Sequence, residues 1–110
     1  MGKEIKKAPL SETEIDRLSE ILKSLGNPAR LRIVNLLIRG ESTVSEICNK
    51  TGLKQSQVSQ QLKNLRLNNI VQRRRDVPKV YYSLKEKNIV NMLACLGRCG
   101  TGIVIPGRKR

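Results

Sequence analysis

Apolar positions recur at helical spacing through the first sixty-odd residues of this chain. Ile15, Leu18, Ile21, Leu22 and Leu25 fall on one side of a first helix, and Ser11 followed by Glu14 has the S-x-x-E spacing of a capping box. Gly26 stops that helix, and Asn27-Pro28 restarts the chain with a capping side chain and a proline at the first helical position, where its missing amide costs nothing. Over residues 29–39 the run LRIVNLLI is apolar on more than half its circumference, which predicts a buried central helix closed by Gly40. Thr43 and Glu46 form a second capping box, and Val44, Ile47 and Cys48 give a short third helix ended by Thr51-Gly52-Leu53, where Gly52 supplies a left-handed turn. A fourth helix, starting near Lys54 or Gln55, sets Val58, Leu62 and Leu65 on one face and runs out at Asn68-Asn69, with Asn69 as a left-handed cap.

The period then changes. Ile70-Val71-Gln72-Arg73-Arg74-Arg75 and Lys79-Val80-Tyr81-Tyr82-Ser83 are β-rich runs joined by Asp76-Val77-Pro78, which predicts a hairpin. A last helix over residues 84–99 places Ile89, Met92, Leu93 and Leu96 on one side. Residues 1–10 read as a flexible basic arm and residues 100–110 as a basic tail broken by Gly and Pro. The expected fold is mainly α with a β-hairpin wing, in the order ααααββα, forming a winged helix-turn-helix domain over residues 11–99.

The third and fourth helices are the helix-turn-helix, and the polar face of the fourth carries its chemistry. Ser56, Gln60, Lys63 and Asn64 occupy that face, Gln57 and Ser59 flank it, and Lys54 and Gln55 open the helix. A solvated face ordinarily alternates Glu with Lys, yet residues 54–66 include no carboxylate. Amides and hydroxyls with cations suit a phosphate-lined major groove, where Gln and Asn pair with adenine and Lys with guanine or phosphate. Arg73, Arg74, Arg75 and Lys79 crowd the hairpin tip. Three consecutive arginines repel one another unless something negative faces them, so the hairpin is expected to reach phosphates or an adjacent minor groove.

Composition narrows the partner. With 22 Lys and Arg against 9 Asp and Glu, the net charge is +13, which calls for a polyanion. The two tyrosines, Tyr81 and Tyr82, are adjacent on a strand and face opposite sides, so they make no stacking platform for single strands, and double-stranded DNA is favoured over an RNA-binding module. No apolar run approaches the roughly 20 residues that cross a bilayer, and MGKEIKKAPL lacks the apolar centre of a signal peptide, so no membrane partner and a cytoplasmic location are expected. The chain has no histidine, which removes His-based acid–base and nucleophilic catalysis and every zinc site that needs imidazole; an enzyme is not expected.

The string LKSLGNPARLRIVNLLIRGESTVSEICNKTGLKQSQVSQQLKNLRLNNIVQRRRDVPKVYYSL resembles the ArsR/SmtB family of bacterial and archaeal repressors. The matching pieces are L-x-x-L-G-N-P-x-R-L-R-I over residues 22–33, Q-S-x-V-S-Q-x-L over residues 55–62 and V-Y-Y-S-L over residues 80–84. The resemblance covers about residues 12–97, nearly the whole chain. It implies a winged-helix homodimer built through the first and last helices, binding an inverted-repeat operator and released by an inducer. A constitutive, inducer-independent DNA binder is the alternative.

The inducer does not follow from the resemblance. Where the arsenic and cadmium sensors of the family have E-L-C-V-C, the cysteine positions here are Thr43 and Ser45, and the His-containing zinc site of the last helix is absent. Of the three cysteines, Cys48 lies on an apolar stripe and is expected to be a small core residue. Cys95 and Cys99 are four apart on the last helix, where two reduced thiols can take As(III), another soft metal or reactive sulfur, with four pooled across a dimer.

Overall fold

The computed structural model describes residues 8–99 of the chain. Most of the expected basic arm and all of the expected tail over residues 100–110 lie outside the described residues. The elements run α1 (Glu12–Leu25), α2 (Pro28–Leu37), β1 (Ser42–Thr43), α3 (Val44–Thr51), α4 (Gln55–Leu67), β2 (Val71–Asp76), β3 (Lys79–Leu84) and α5 (Asn88–Cys99). Five helices and an antiparallel sheet make the expected winged helix-turn-helix, with one strand more than the hairpin alone.

Local chemistry sets the helix ends. Ser11 and Thr43 each cap their helix through a reciprocal box: the hydroxyl accepts the amide of Glu14 or Glu46, and that glutamate accepts the cap's own amide at 2.8 Å in both cases. Asn27 Oδ1 accepts the Arg30 amide, with Pro28 opening α2. Gly52 sits at φ 77° and returns its N–H to the Cys48 carbonyl at 2.9 Å, the left-handed stop that turns α3 into α4. Asn69, at φ 60°, closes α4 in the same region of backbone space. Gly26 works differently: its φ is negative, and a Cβ there would meet the Leu22 carbonyl oxygen at 3.2 Å.

The core is one cluster. Leu25 of α1, Ile33, Val34 and Leu37 of α2, Ile47 of α3, and Val58, Leu62 and Leu65 of α4 pack with Ile70, Val71, Leu84 and Ile89. Cys48 and Val44 pack against this cluster half-buried. Burying side chains of this size stabilises by about 1.5–3 kcal/mol each relative to exposure, so the cluster holds the two motif helices to α2.

Three expectations are corrected. The central helix is not buried over its whole apolar arc, because Leu31 and Ile38 remain 39% and 38% exposed; it also ends at Leu37, with Arg39 and Gly40 closing through looser turns. The last helix begins at Asn88 rather than at residue 84, because Leu84 still pairs with Val71 and the Lys85 and Glu86 amides donate to the Ile70 carbonyl. Finally, the hairpin gains a third strand: Ser42 and Thr43 pair with Tyr82 and Tyr81, giving the sheet order β1-β3-β2. Asp76 belongs to β2 opposite Lys79, which shortens the turn to Val77-Pro78.

Candidate nucleic-acid interface

Helix α4 is pinned by its apolar face and presents the rest. Val58, Leu62 and Leu65 are fully buried, and from them the 100° helical step carries Lys54, Gln55, Ser56, Gln57, Ser59, Gln60 and Lys63 to solvent, all exposed. Gln57 has a structural task as well, since its Oε1 accepts the Lys54 amide at 3.0 Å and thereby caps the start of the helix. This leaves the side chains of Lys54, Gln55, Ser56, Ser59, Gln60 and Lys63 without a hydrogen-bond partner among the described residues at the motif's outer face, with no carboxylate among them.

Asn64, expected on that face, is turned inward. Its Oδ1 accepts the hydroxyl of Ser24 at 2.9 Å, and Ser24 itself is 3% exposed at the end of α1. Asn68 Nδ2 donates to the Asn64 carbonyl at 3.0 Å, closing α4. Next to this pair, the Arg30 guanidinium bridges α1 and α4: Nε donates to the Ser24 carbonyl at 2.5 Å and Nη1 to Gln61 Oε1 at 2.9 Å. Two polar ties therefore set α4 relative to α1 and α2, in addition to the apolar core. The sequence reading did not single out Ser24, Arg30 or Gln61 as positioning residues. The available signal was their spacing: Gln61 and Asn64 are three apart, one turn along the same side of α4.

The wing separates its arginines. Successive residues of a strand point to opposite faces, so Arg73 and Arg75 share the face of Val71, Tyr82 and Leu84, which packs on the helices, while Arg74 stands on the other. All three are exposed, as is Lys79. Arg74 has an anionic partner that the sequence reading missed: Nη2 donates to Glu41 Oε1 at 2.6 Å and Nε to Oε2 at 3.3 Å, with Asp76 at 3.7 Å and the Tyr81 ring centroid 4.7 Å from Cζ. The hydrogen bond from Arg74 holds the Glu41 carboxyl below the ordinary glutamate range and raises the guanidinium in turn. Arg73, Arg75 and Lys79 take part in no ion pair within 4.0 Å among the described residues.

Of the two candidate thiols, Cys95 is exposed on α5, and Cys99 ends that helix with its side chain outside the described residues. Among the described residues no group of three or more His, Cys, Asp or Glu is placed to hold a metal ion. No helix among them is long and apolar enough to cross a membrane.

Comparison with known proteins agrees with this fold. The family described as bacterial regulatory protein, arsR family, matches residues 27–73, which span α2, the helix-turn-helix and the start of the wing. The chain is 34% identical over 88 residues to the nodulation protein NolR of Rhizobium meliloti, covering 80% of this chain and 72% of that protein. It is 34% identical over 85 residues to the biofilm growth-associated repressor of Xylella fastidiosa (77% and 75% covered), and 32% identical over 98 residues to the transcriptional activator HlyU of Vibrio cholerae (86% and 91% covered). The structure of reduced HlyU superimposes with a TM-score of 0.74 at 31% identity, covering 80% of this chain and 93% of that one. The homodimeric winged helix-turn-helix DNA-binding domain of Mb0332 from Mycobacterium bovis superimposes with a TM-score of 0.74 at 27% identity, covering 86% and 90%. Of these relatives, one is named a repressor and one an activator of transcription. By these relatives the chain belongs to the ArsR family of DNA-binding transcriptional regulators.

Proposed function

We propose that the chain is a repressor that binds a two-fold symmetric operator as a homodimer joined through α1 and α5. The observation that carries this reading is unpaired apolar surface on those two helices: Ile15 and Leu22 of α1 are 40% and 47% exposed, and Leu96 of α5 is 53% exposed. Side chains of this size on two neighbouring amphipathic helices favour burial by a symmetric partner. A dimer would set two copies of α4 about 34 Å apart, the spacing of successive major grooves on one side of B-DNA. Light scattering at micromolar concentration is expected to give twice the 12.4 kDa chain mass. Gel shifts are expected to give a complex with the protein's own promoter DNA that bulk RNA does not compete away. A monomer in solution, or RNA competing as well as DNA, overturns the reading.

Release from DNA forms the second part of the proposal. Cys95 and Cys99 receive a thiophilic signal, As(III) or another soft metal or reactive sulfur, supported by the exposure of Cys95 and the four-residue spacing along α5. An inducer acts only through a difference in affinity between DNA-competent and incompetent dimers, typically about 1–3 kcal/mol. As(III) or a persulfide donor is expected to weaken operator binding of the parent. The C95S/C99S double variant is expected to stay bound, while Cys48→Ser responds like the parent. Equal release of parent and double variant would mean that the thiols carry no signal.

A further inference from the structure

The pleat turns Arg74 onto the outer face of the wing, away from Arg73 and Arg75, and its fixings there cross three strands. Arg74 of β2 lies directly opposite Tyr81 of β3, and Tyr81 lies directly opposite Thr43 of β1. Glu41 is two residues before Thr43 and so shares its side of the sheet. The guanidinium therefore passes over the Tyr81 ring, 4.7 Å from its centroid, and meets Glu41 with two of its nitrogens at 2.6 and 3.3 Å. Thr43 is also the cap of α3. The side chain thus straps the outer strand of the wing to the segment that starts the helix-turn-helix.

Exposed ion pairs usually contribute little to folding, and both partners here are about half exposed. The two-toothed geometry and the aromatic platform matter for what they orient rather than for what they add to stability. A phosphate approaching this guanidinium would also find the Glu41 and Asp76 carboxylates within salt-bridge distance of it, and would be repelled by both. Arg73 and Arg75 stand on the other face and take part in no such pair among the described residues.

We propose that Glu41 and Arg74 are positioning residues for DNA recognition: the clamp stays closed on DNA, sets the wing so that Arg73 and Arg75 reach phosphates, and gives Arg74 no phosphate of its own. This rests on the wing's being a DNA contact. It leads to an outcome opposite to simple electrostatics, because removing a carboxylate from a cationic DNA-binding surface ordinarily tightens binding to any sequence.

The test uses the full chain and two probes: the best-bound duplex selected by the parent protein from a random-sequence library, and a random duplex of equal length. Dissociation constants are measured across a salt series for the parent and for Glu41→Ala, Glu41→Gln, Arg74→Ala and the Glu41→Ala/Arg74→Ala double variant. Glu41→Ala is expected to weaken binding to the selected duplex by about two- to fivefold while leaving the random duplex unchanged or slightly tighter. Arg74→Ala should keep the parent's salt slope, whereas Arg73→Ala or Arg75→Ala should each lower it by about 1.8, about 0.9 for each protomer of the bound dimer. The double variant should bind no more weakly than Arg74→Ala. Hydrogen exchange of the β2 and β3 amides, measured without DNA, should speed up in Glu41→Ala and less in Glu41→Gln.

Tighter binding of both duplexes by Glu41→Ala with a steeper salt slope would overturn the proposal, because Glu41 would then be withholding a phosphate-binding arginine. Unchanged binding to the selected duplex, or a lowered slope for Arg74→Ala, would overturn it equally. Should Arg73→Ala and Arg75→Ala both keep the parent's slope, the wing reading itself fails, and the exchange data still decide whether the clamp orders the hairpin.

Discussion

Asn64→Ala separates a residue that reads DNA from one that holds the reader in place. In the parent, the Ser24 hydroxyl is buried at 3% exposure and donates to Asn64 Oδ1 at 2.9 Å. Truncating Asn64 removes the acceptor and strands the hydroxyl in a site that water reaches poorly. A lost neutral hydrogen bond costs about 0.5–1.5 kcal/mol, and an unsatisfied buried group raises this to about 1–3 kcal/mol. Ser24 lies in the last turn of α1, where its hydroxyl can swing back to a carbonyl of the preceding turn, so we expect about 1–2 kcal/mol. Ser24→Ala should cost less, because Asn64 is only half-buried and its freed oxygen can take a water. In a double-variant cycle the two changes should couple by about 1 kcal/mol, since each removes the same bond. With a urea dependence of about 1.5 kcal/mol per molar, the Asn64→Ala midpoint falls by roughly 1 M. Far-ultraviolet circular dichroism at one fixed protein concentration reads this, because the midpoint of a dimer moves with concentration. Under conditions where the variant is fully folded, its preference among duplexes should match the parent's. An unmoved midpoint with a loss of preference at one base pair would show that Asn64 turns outward to read adenine, and the packing argument would be refuted.

Other expectations follow from the same geometry. Arg30→Met should cost about 1.5–3 kcal/mol in urea denaturation, since it removes charge-assisted bonds to the Ser24 carbonyl and Gln61, and Arg30→Lys should recover only part of it because a single ammonium cannot span both. Gly52→Ala should lower stability by about 1–2 kcal/mol through backbone strain at φ 77° alone, because a Cβ there meets nothing within 4 Å. Gln60→Ala or Ser56→Ala should relax base preference by about 1–3 kcal/mol with an unchanged salt slope, read by competition among duplexes. Glu41 has a folded pKa below its ordinary value, so its pairing with Arg74 is present at neutral pH and is lost only as pH falls through that depressed value. A carbon-detected titration of the Glu41 carboxyl should place its midpoint under the usual 4.5, and Arg74→Ala should move it up.

Most of the helical frame was legible because its signals are local. Capping boxes at Ser11 and Thr43, the Asn27-Pro28 restart and the Gly52 stop each act within four residues, so sequence spacing alone carries them. Errors arose where a distant partner decides. Ser42-Thr43 is too short for any period, and it becomes a strand only because Tyr81 and Tyr82 lie alongside. The start of α5 was placed too early because the Ile70 carbonyl, fifteen residues upstream of Lys85, holds the chain to the sheet past Leu84. Leu31 and Ile38 were expected in the core because an apolar arc on one helix cannot tell which part of it neighbouring helices will cover.

The polar site divides along the same line. Ser56, Gln60 and Lys63 were assignable from the helical step once Val58, Leu62 and Leu65 were known to be buried, since the opposite side of a helix is fixed by its core side. Asn64 lies near the boundary between the two sides, one step short of Leu65, and its direction depends on whether α1 offers a donor there. Ser24 supplies that donor, forty residues away. In the Arg73-Arg74-Arg75 run, charge repulsion points to an anion without saying whether it lies within the chain or on a partner, and alternation along β2 requires the middle arginine to stand apart from its neighbours. Nothing within the run says which face meets the anion. That is settled by β1, because pairing Thr43 with Tyr81 puts Glu41 on the side of Arg74, and Arg73 and Arg75 on the other face take part in no ion pair among the described residues.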